Sequence, residues 1–502
     1  MKHLTTTTRI FLTLLFTYLP LACGSEPQDP EQAPELEPSL PSTCEVELSE
    51  VAVYQSVKIS LGTGDTAVPT PSAAIIAGKP ALFRVFLTPT ASVPVEGVTV
   101  RLTIQSSAGQ QRTYDRTATV GAASRDDDPG STFDLAVAKE DLQPDARASV
   151  EIVAPSHCAG SPRTRLPRQG ELALRPRSIG PLRVRLVPLR YDADGSGRLP
   201  DTSPAQLQAF QDALMAMFPV SAVEFSVREP VPMSVALGPK TGWSTVLDVV
   251  RQTRAKDRPA DDIYYFGLVA PADTHARYCG SGCTTGVSFT PREANSGNQA
   301  SVGLGFTGAI AVEALVHELG HAHGRAHAPC GRPDRPDPDF PYPEALIGVW
   351  GYDARGSGQL RSPELTRDIM GYCGPRWVSD YTYRGLTDRS AQVNHLDAPL
   401  VASRLIDSTA GSDPRWRTLI LGADGAITWG QATSEIPPSG TAVRAQTLDA
   451  AGNPVGVVDV LEIEIADSDD RMFSIPEDTA GAAALALPGT SPVSFPSPTS
   501  SP

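Results

Sequence analysis

The first part of the chain alternates apolar and polar residues over short stretches, which is typical of strands with one buried face. Residues 98–104 (VTVRLTI) alternate cleanly, and residues 51–59 and 81–87 alternate in part. Glycine and proline interrupt these stretches at short intervals, as they do in turns between antiparallel strands. The pattern predicts an immunoglobulin-like β-sandwich over residues 44–175, and this segment contains no constellation of catalytic residue types.

From about residue 180 the pattern becomes a mixture of helices and strands. Residues 182–188 and 263–269 are apolar enough for buried strands. Between them, apolar residues at helical spacing predict an amphipathic helix over residues 203–218, and a second helix is expected near residues 243–253. Another strand is expected at residues 300–305, just before a further helix. This order of elements predicts an α+β domain over residues 180–400.

Three other segments have simpler patterns. Residues 401–487 are β-like again, as in the apolar run at 457–463, and predict a small C-terminal β domain. Residues 488–502 are rich in serine and proline and predict a disordered tail. Residues 24–43 are rich in glutamate, proline and serine, which predicts an extended, solvated linker.

The first 23 residues have the organisation of an export signal. Lys2 and Arg9 give a positive start, residues 10–19 form an apolar core, and Cys23 follows a small residue. The segment resembles a bacterial lipoprotein signal peptide, which implies lipidation of Cys23. The alternative is ordinary cleavage near Ala22 and free secretion. We therefore expect the protein at the bacterial cell surface or outer membrane, or secreted, with membrane contact only through the lipid anchor.

Charge and cysteine content agree with an exported protein. The formal net charge of −15 over 502 residues argues against a nucleic-acid partner. Of the seven cysteines, six remain if one carries lipid, and an even number suits disulfides in an oxidising compartment. Six cysteines allow 15 pairings. Order along the chain suggests three disulfides: Cys44–Cys158, Cys279–Cys283 and Cys330–Cys373.

The most informative segment is residues 317–327, which read HELGHAHGRAH and fit the pattern H-E-x-x-H-x-x-G-x-x-H. On a helix His317 and His321 share one face and can reach one metal ion, and a turn at the glycine returns His327 as a third ligand. Three protein ligands leave the fourth position of Zn²⁺ for water, whose proton Glu318 can take. The alternative is a helix with surface histidines. Only eight histidines occur in the chain and four fall here, which favours the metal site.

These residues resemble the metzincin zinc peptidases, which also carry a methionine turn after the third histidine. Residues 368–373 (DIMGYC) are similar to that turn. The resemblance implies that Met370 packs beneath the histidines and that Tyr372 binds zinc or stabilises the transition state. For the tyrosine, the alternative is a core aromatic. The resemblance also implies a metzincin-like α+β catalytic domain between the two β modules, with an edge strand from residues 285–305 that pairs with a bound peptide.

The function that follows is that of a zinc-dependent endopeptidase acting on extracellular proteins or glycoproteins through a Glu-activated, zinc-bound water. The alternative is an adhesin or a carbohydrate- or protein-binding surface lipoprotein with an inactive zinc domain. Asp192 and Asp194 resemble the start of a calcium loop, so Ca²⁺ is a second candidate cofactor. However, Ser203 stands where such a loop needs a bidentate glutamate. Cleavage specificity, latency and oligomeric state do not follow from the sequence.

Overall fold

The computed structural model of the chain describes residues 44–106, 109–280, 282–291, 298–394, 415–433, 440–479 and 481–496. These residues all belong to one of the two compact units of the chain, residues 43–502. The predicted signal peptide, Cys23 and the predicted linker lie outside the described residues. In the described part of the chain, no helix is long and apolar enough to cross a membrane.

The first nine strands form two antiparallel sheets whose apolar faces share one core. One sheet contains the order β1-β3-β6, and the other has the order β5-β4-β7-β8. The alternating residues 98–104 lie in β4, where Val100 and Leu102 are buried. The strands are β1 (Val46–Thr63), β2 (Thr66–Ala67), β3 (Ala81–Pro89), β4 (Val95–Gln105), β5 (Gln111–Val120), β6 (Phe133–Val137), β7 (Arg147–Ala154), β8 (Arg165–Leu166) and β9 (Leu172–Ala173).

The central region follows, with helices between strands. Helix α1 begins with a proline in its first turn, and Ser203 accepts a hydrogen bond from the Gln206 backbone as its N-cap. The elements are β10 (Leu182–Tyr191), α1 (Pro204–Met217), β11 (Val223–Val227), β12 (Val231–Met233), α2 (Trp243–Asp257), β13 (Ile263–Val269), α3 (His275–Cys279), β14 (Gly286–Phe289), β15 (Ala300–Leu304), α4 (Ala309–Ala322), β16 (Gly351–Asp353), β17 (Gln359–Arg361), β18 (Arg367–Asp368), β19 (Arg376–Trp377) and α5 (Asp380–Val393).

The C-terminal region is made of strands. They are β20 (Trp416–Leu421), β21 (Ile427–Thr433), β22 (Thr441–Leu448), β23 (Pro454–Ile463), β24 (Ile465–Ala466), β25 (Arg471–Pro476), β26 (Ala484–Ala486) and β27 (Val493–Ser494). Seven of them form the antiparallel sheet β21-β20-β25-β23-β22-β26-β27. The prediction of a disordered tail from residue 488 is wrong for residues 488–496, because β27 pairs with β26 and buries Val493.

Two sheets join regions that are distant in the sequence. The central sheet has the order β11-β10-β13-β15-β14-β24, in which β10, β13 and β15 are parallel and β14 is antiparallel to β15. Its last strand, β24, comes from the C-terminal region. In the first sandwich sheet, β16 pairs with β1 and β17 with β16. The central region is therefore tied to both β regions by backbone hydrogen bonds.

The predicted α+β metzincin-like fold class is wrong for this chain. Strands hold 38% of the residues and helices 18%, and sandwich-like and barrel-like sheets predominate. The sequence prediction of an α+β domain relied on the clear helical periodicity of the central region. It missed β16 to β19, because strands of two or three residues show no measurable alternation and form only where a partner strand is present.

Candidate metal centre and active site

Helix α4 carries the first two histidines and the glutamate of the motif. Its sequence, AIAVEALVHELGHA, is rich in alanine and leucine, which favour helix, and the half of the helix that contains the motif is buried. The helix ends at Ala322 with His323 as its C-cap, and Gly324 has φ of +77°, a conformation that glycine adopts readily. The Gly324 backbone N–H donates to the carbonyl of His321 at 2.7 Å. This turn brings the third histidine back towards the first two.

The three motif histidines meet at their Nε2 atoms. The Nε2 of His321 lies 3.1 Å from that of His317 and 3.1 Å from that of His327. All three side chains are buried, and burial lowers the pKa of His321 to about 4, which keeps that ring neutral. Each Nδ1 faces a backbone carbonyl oxygen: that of Ile369 for His317 (2.7 Å), Arg325 for His321 (2.6 Å) and Asp334 for His327 (2.9 Å).

These carbonyl contacts fix the ring tautomers. A carbonyl can only accept, so each Nδ1 must carry the proton and donate it, which leaves the lone pair of each Nε2 free. Metal-binding histidines are commonly oriented in this way. Three Nε2 lone pairs that point at one place are suited to a divalent metal ion.

Met370 lies directly beneath the helix at Gly320. A Cβ added at Gly320 would lie 2.4 Å from the Met370 sulfur, so only glycine allows this contact. The Met370 backbone N–H donates to the Asp368 carboxylate at 2.8 Å, and the Met370 carbonyl accepts from Ala328 at 3.0 Å. The methionine turn therefore runs alongside the segment that follows His327, and both lie next to the histidine cluster.

Glu318 is buried beside the same cluster, against strand β14. A Cβ at Gly286 of that strand would come within 2.6 Å of the Glu318 Cγ and 2.7 Å of its Oε1. The Glu318 Oε2 has no hydrogen-bond partner among the residues that the structure describes. Burial, together with the nearby carboxylate of Asp467, raises the pKa of Glu318. A buried carboxylate oxygen without a partner is suited to accept a proton from a small bound molecule.

Tyr372 lies at the mouth of the site and is not a core aromatic. Its side chain is 42% exposed, and its hydroxyl is 3.2 Å from the His327 Nε2. The hydroxyl donates a short hydrogen bond to the carboxylate of Asp467. The tyrosine can therefore reach a group held at the histidine cluster, and it is free to change partner because solvent reaches it.

Asp467 completes the cluster, and the sequence analysis missed it. Its Oδ2 lies 3.3 Å from the Nε2 of His317, 3.1 Å from that of His321 and 3.3 Å from that of His327. No spacing rule could identify this residue, because it lies 140 residues beyond the motif.

The four residues fit a metal with tetrahedral coordination. Zinc–nitrogen bonds of about 2.0–2.1 Å place neighbouring ligand atoms about 3.3 Å apart on a tetrahedron. Five of the six distances among the three Nε2 atoms and the Asp467 Oδ2 are 3.1 to 3.3 Å, which agrees with that separation. His317, His321, His327 and Asp467 are thus a group that could hold a metal ion.

The cysteines form three disulfides, Cys44–Cys158, Cys279–Cys283 and Cys330–Cys373. These are the pairs suggested by their order in the sequence. The third disulfide lies next to the candidate site, since the Tyr372 backbone N–H donates to the Cys330 carbonyl at 3.0 Å. It therefore ties the segment after the third histidine to the segment that carries the methionine and the tyrosine.

The candidate calcium loop has its carboxylates paired with arginines. Asp192 accepts hydrogen bonds from Arg190, and Asp194 forms an ion pair with Arg198. A calcium ion would have to displace both guanidinium groups. The contacts of this loop therefore argue against calcium there.

Comparison with known proteins supports a peptidase. Residues 285–367 match the sequence profile of the Peptidase M66 family, and this range includes the motif at 317–327. No curated protein matches the chain significantly. Two solved structures show a weak likeness. One is a cycloisomaltooligosaccharide glucanotransferase from Paenibacillus sp., with 14% identity, 51% of this chain and 33% of that chain covered, and a TM-score of 0.15.

The other is a mutant of β-glucuronidase 2 from Bacteroides uniformis, with 10% identity, 48% of this chain and 25% of that chain covered, and a TM-score of 0.12. The matched part thus spans a third of the first enzyme and a quarter of the second. TM-scores this low relate neither the fold nor the function of those enzymes to this chain.

Proposed function

We propose that the chain is a zinc-dependent endopeptidase in which His317, His321 and His327 hold the metal ion and Glu318 is the general base. The observation that carries this proposal is the convergence of three free Nε2 lone pairs beside a buried carboxylate with an unpartnered oxygen. The histidine arrangement is that of the metzincin motif. The family match over residues 285–367 supports the peptidase part of the proposal.

The chemistry is hydrolysis of a peptide bond. When bound, zinc supplies a Lewis acid that polarises a carbonyl group and lowers the pKa of water to about 7. Glu318 takes a proton from the attacking water at its free Oε2 while the water oxygen forms a bond to the carbonyl carbon. Glu318 then delivers that proton to the amide nitrogen as the C–N bond breaks. The products are a new carboxylic acid and a new amine, which become carboxylate and ammonium when the remaining water proton passes from the acid to the amine.

Tyr372 would stabilise the transition state. Its hydroxyl lies 3.2 Å from the His327 Nε2, so it can reach an oxygen atom bound next to the histidines. An O–H donor near a carbonyl oxygen that gains negative charge lowers the barrier to attack. This role requires the hydroxyl to leave its present acceptor, the carboxylate of Asp467.

The proposed substrates are extracellular proteins or glycoproteins, and the proposed location is the bacterial cell surface, by a lipid on Cys23, or the medium. The support is the export-type start of the sequence and the three disulfides, which persist in oxidising compartments. A surface-binding lipoprotein with an inactive zinc domain is the second candidate. Asp467 favours it, because four protein ligands are typical of structural zinc sites.

The test measures zinc content and cleavage of casein, an unstructured protein. Four proteins are compared: wild type, Glu318→Gln, Asp467→Ala, and the double variant Asp467→Ala with Glu318→Gln. We expect about one zinc per chain in the wild type and in its Glu318→Gln form. Cleavage should fall by several orders of magnitude with Glu318→Gln, because the general base is lost. Absence of zinc, or cleavage that is equal with and without Glu318, would contradict the proposal.

A further inference from the structure

One edge of strand β14 pairs with β15. The other edge is covered by β24, a short strand from the C-terminal region. Strand β24 pairs antiparallel with β14, with Ser288 opposite Ala466 and Phe289 opposite Ile465. Beyond the strand, the Thr290 backbone N–H donates to the Glu464 carbonyl at 3.4 Å. An extended peptide substrate could add to a sheet edge through the same kind of backbone pairing. The segment 464–467 therefore occupies the edge next to Glu318.

Contacts from three directions hold this segment in place. Arg335, in the loop after the third histidine, donates to the Ile465 carbonyl at 2.9 Å. Ser468 lies 2.9 Å from Ser244, hydroxyl to hydroxyl. The Ile465 side chain is 2% exposed and belongs to the apolar core that also contains Phe289. The segment is thus packed into the site and does not merely lie over it.

The backbone turns after β24 and presents a carboxylate to the histidines. Asp467 has φ of +61°, in the left-handed region that few residues other than glycine, asparagine and aspartate adopt. Its Oδ2 is within 3.3 Å of all three Nε2 atoms, and its Oδ1 accepts from Tyr372. One aspartate therefore contacts all three proposed metal ligands and the proposed transition-state donor at once.

We infer that residues 464–467 are a built-in inhibitor, in which Asp467 is a fourth protein ligand of the metal and β24 fills the place of a substrate strand. This inference rests on the proposed zinc site. With Asp467 bound, the coordination shell has no open position, and a catalytic zinc needs one for water. The group facing the histidines is a side-chain carboxylate, which has no C–N bond to hydrolyse. The segment therefore closes the site without being cut there.

Activity then requires the segment to move away. A competing substrate must displace both the strand pairing and the Asp467 ligand. The apparent affinity for substrate is therefore the affinity of the open form, in which the segment has moved away, multiplied by the fraction of molecules in that form. Loss of Asp467 should increase the open fraction. It should also weaken metal binding, because a ligand is removed. The two effects have opposite directions, which separates this inference from a general loss of structure.

The first experiment compares Asp467→Ala with the control Asp469→Ala in the full chain. Asp469 is exposed and lies two residues away, so its removal changes charge equally. The measurements are the zinc dissociation constant, by competition with a chromophoric chelator, and the rate of casein cleavage. We expect Asp467→Ala to bind zinc roughly tenfold or more weakly, because even loss of an outer-shell partner costs 10–100-fold. It should cleave roughly tenfold or more faster at saturating zinc.

A second variant keeps the aspartate and loosens the strand. Arg335→Ala removes the hydrogen bond to the Ile465 carbonyl, and its control is Arg332→Ala. Arg332 is an exposed arginine of the same loop with a similar φ, +58° against +45°. We expect Arg335→Ala to cleave several-fold faster than Arg332→Ala while zinc content remains about one per chain. Equal cleavage by these two variants would count against a docked inhibitory strand.

The outcomes separate this inference from the proposed function. If Asp467→Ala and Asp469→Ala match the wild type in zinc affinity and cleavage, the inhibitor is refuted while the peptidase stands. If Asp467→Ala binds zinc more weakly but no variant cleaves casein, Asp467 is a zinc ligand and the zinc site does not hydrolyse peptide bonds. In that case the inhibitory role and the proposed function are both overturned.

Discussion

The substitution Gly286→Ala in strand β14 tests the proposed active site, because it places a methyl group against the side chain of Glu318. A Cβ at this position would lie 2.6 Å from the Glu318 Cγ, 2.7 Å from its Oε1 and 2.8 Å from the Val302 carbonyl oxygen. Ordinary contact begins near 3.4 Å, so the glutamate or the strand must move by about 0.8 Å. The Val302 carbonyl belongs to the neighbouring strand and is hard to shift. We therefore expect most of the movement in Glu318.

The expected cost is large for catalysis and moderate for stability. Misplacement of a reacting group by about 1 Å costs on the order of 10²-fold in rate, so cleavage should fall by roughly that factor. The extra methyl group should also destabilise the fold by about 1–3 kcal/mol. Zinc should remain bound, because the three atoms nearest to the added methyl group belong to Glu318 and Val302 and not to a histidine. The assay is casein cleavage, with zinc content and thermal unfolding measured on the same samples.

The control is Gly303→Ala in the neighbouring strand. Gly303 is the register partner of Gly286, but a Cβ there would meet Phe266 at 3.0 Å and Ala314 at 3.4 Å. It should lower the unfolding temperature and leave cleavage near the starting value. Both substitutions should be made in the same starting protein. That protein is wild type or Asp467→Ala, whichever cleaves casein faster. A Gly286→Ala protein that holds zinc and cleaves at the unchanged rate would refute the assignment of Glu318 as the base.

Three further predictions concern stability and location. Replacing Cys330 and Cys373 by serine opens a loop with a sequence separation of 43 and should cost about 4 kcal/mol in urea unfolding; unchanged stability would show that the disulfide is dispensable. Hydrogen bonds from Arg228 hold the pKa of Asp257 below its usual value, so its stabilisation is present above about pH 4 and is lost as the pH falls through the lowered pKa. The free energy difference between wild type and Asp257→Asn should therefore shrink on acidification, and a constant difference would contradict this. Finally, Cys23→Ser should move the protein from the detergent phase to the aqueous phase, whereas wild type already in the aqueous phase would argue against a lipid anchor.

The local part of the candidate site was predictable from the sequence, because short-range spacing fixes it. Two histidines four apart on a helix must share a face, and a glycine turn returns the third. The structure brings His317, His321, His327, Met370 and Tyr372 together as the motif and the resemblance suggested. The Tyr372 hydroxyl could not be placed from sequence, because a core position and a position at the mouth have the same local pattern.

Asp467 could not be predicted because its position depends on strand pairing between distant segments. Nothing in the residues around 467 distinguishes this aspartate from those at 469 and 470. Only the pairing of β24 with β14 brings it to the histidines. A two-residue strand has no alternation to detect, and its register is set by its partner.

In the fold, too, elements set by local sequence could be predicted, whereas elements that depend on pairing with a distant segment could not. Strand β4 was predictable because seven residues alternate cleanly and bury every second side chain. The short strands of the central region were not, because β16 to β19 have two or three residues each and β16 forms against β1, about 300 residues away in the sequence. The wrong prediction for residues 488–496 has a similar cause, since β27 is stabilised by β26 and not by its own composition.

The most direct test of the central claim is cleavage of a casein peptide in water enriched in ¹⁸O, followed by mass spectrometry of the products. The zinc-loaded protein, as wild type or Asp467→Ala, should yield fragments with one ¹⁸O atom in each new terminal carboxylate. The matching Glu318→Gln proteins, loaded with the same amount of zinc, should yield almost none. Fragments that form at the same rate without Glu318, or no fragments from any zinc-loaded form, would contradict the claim that this site hydrolyses peptide bonds.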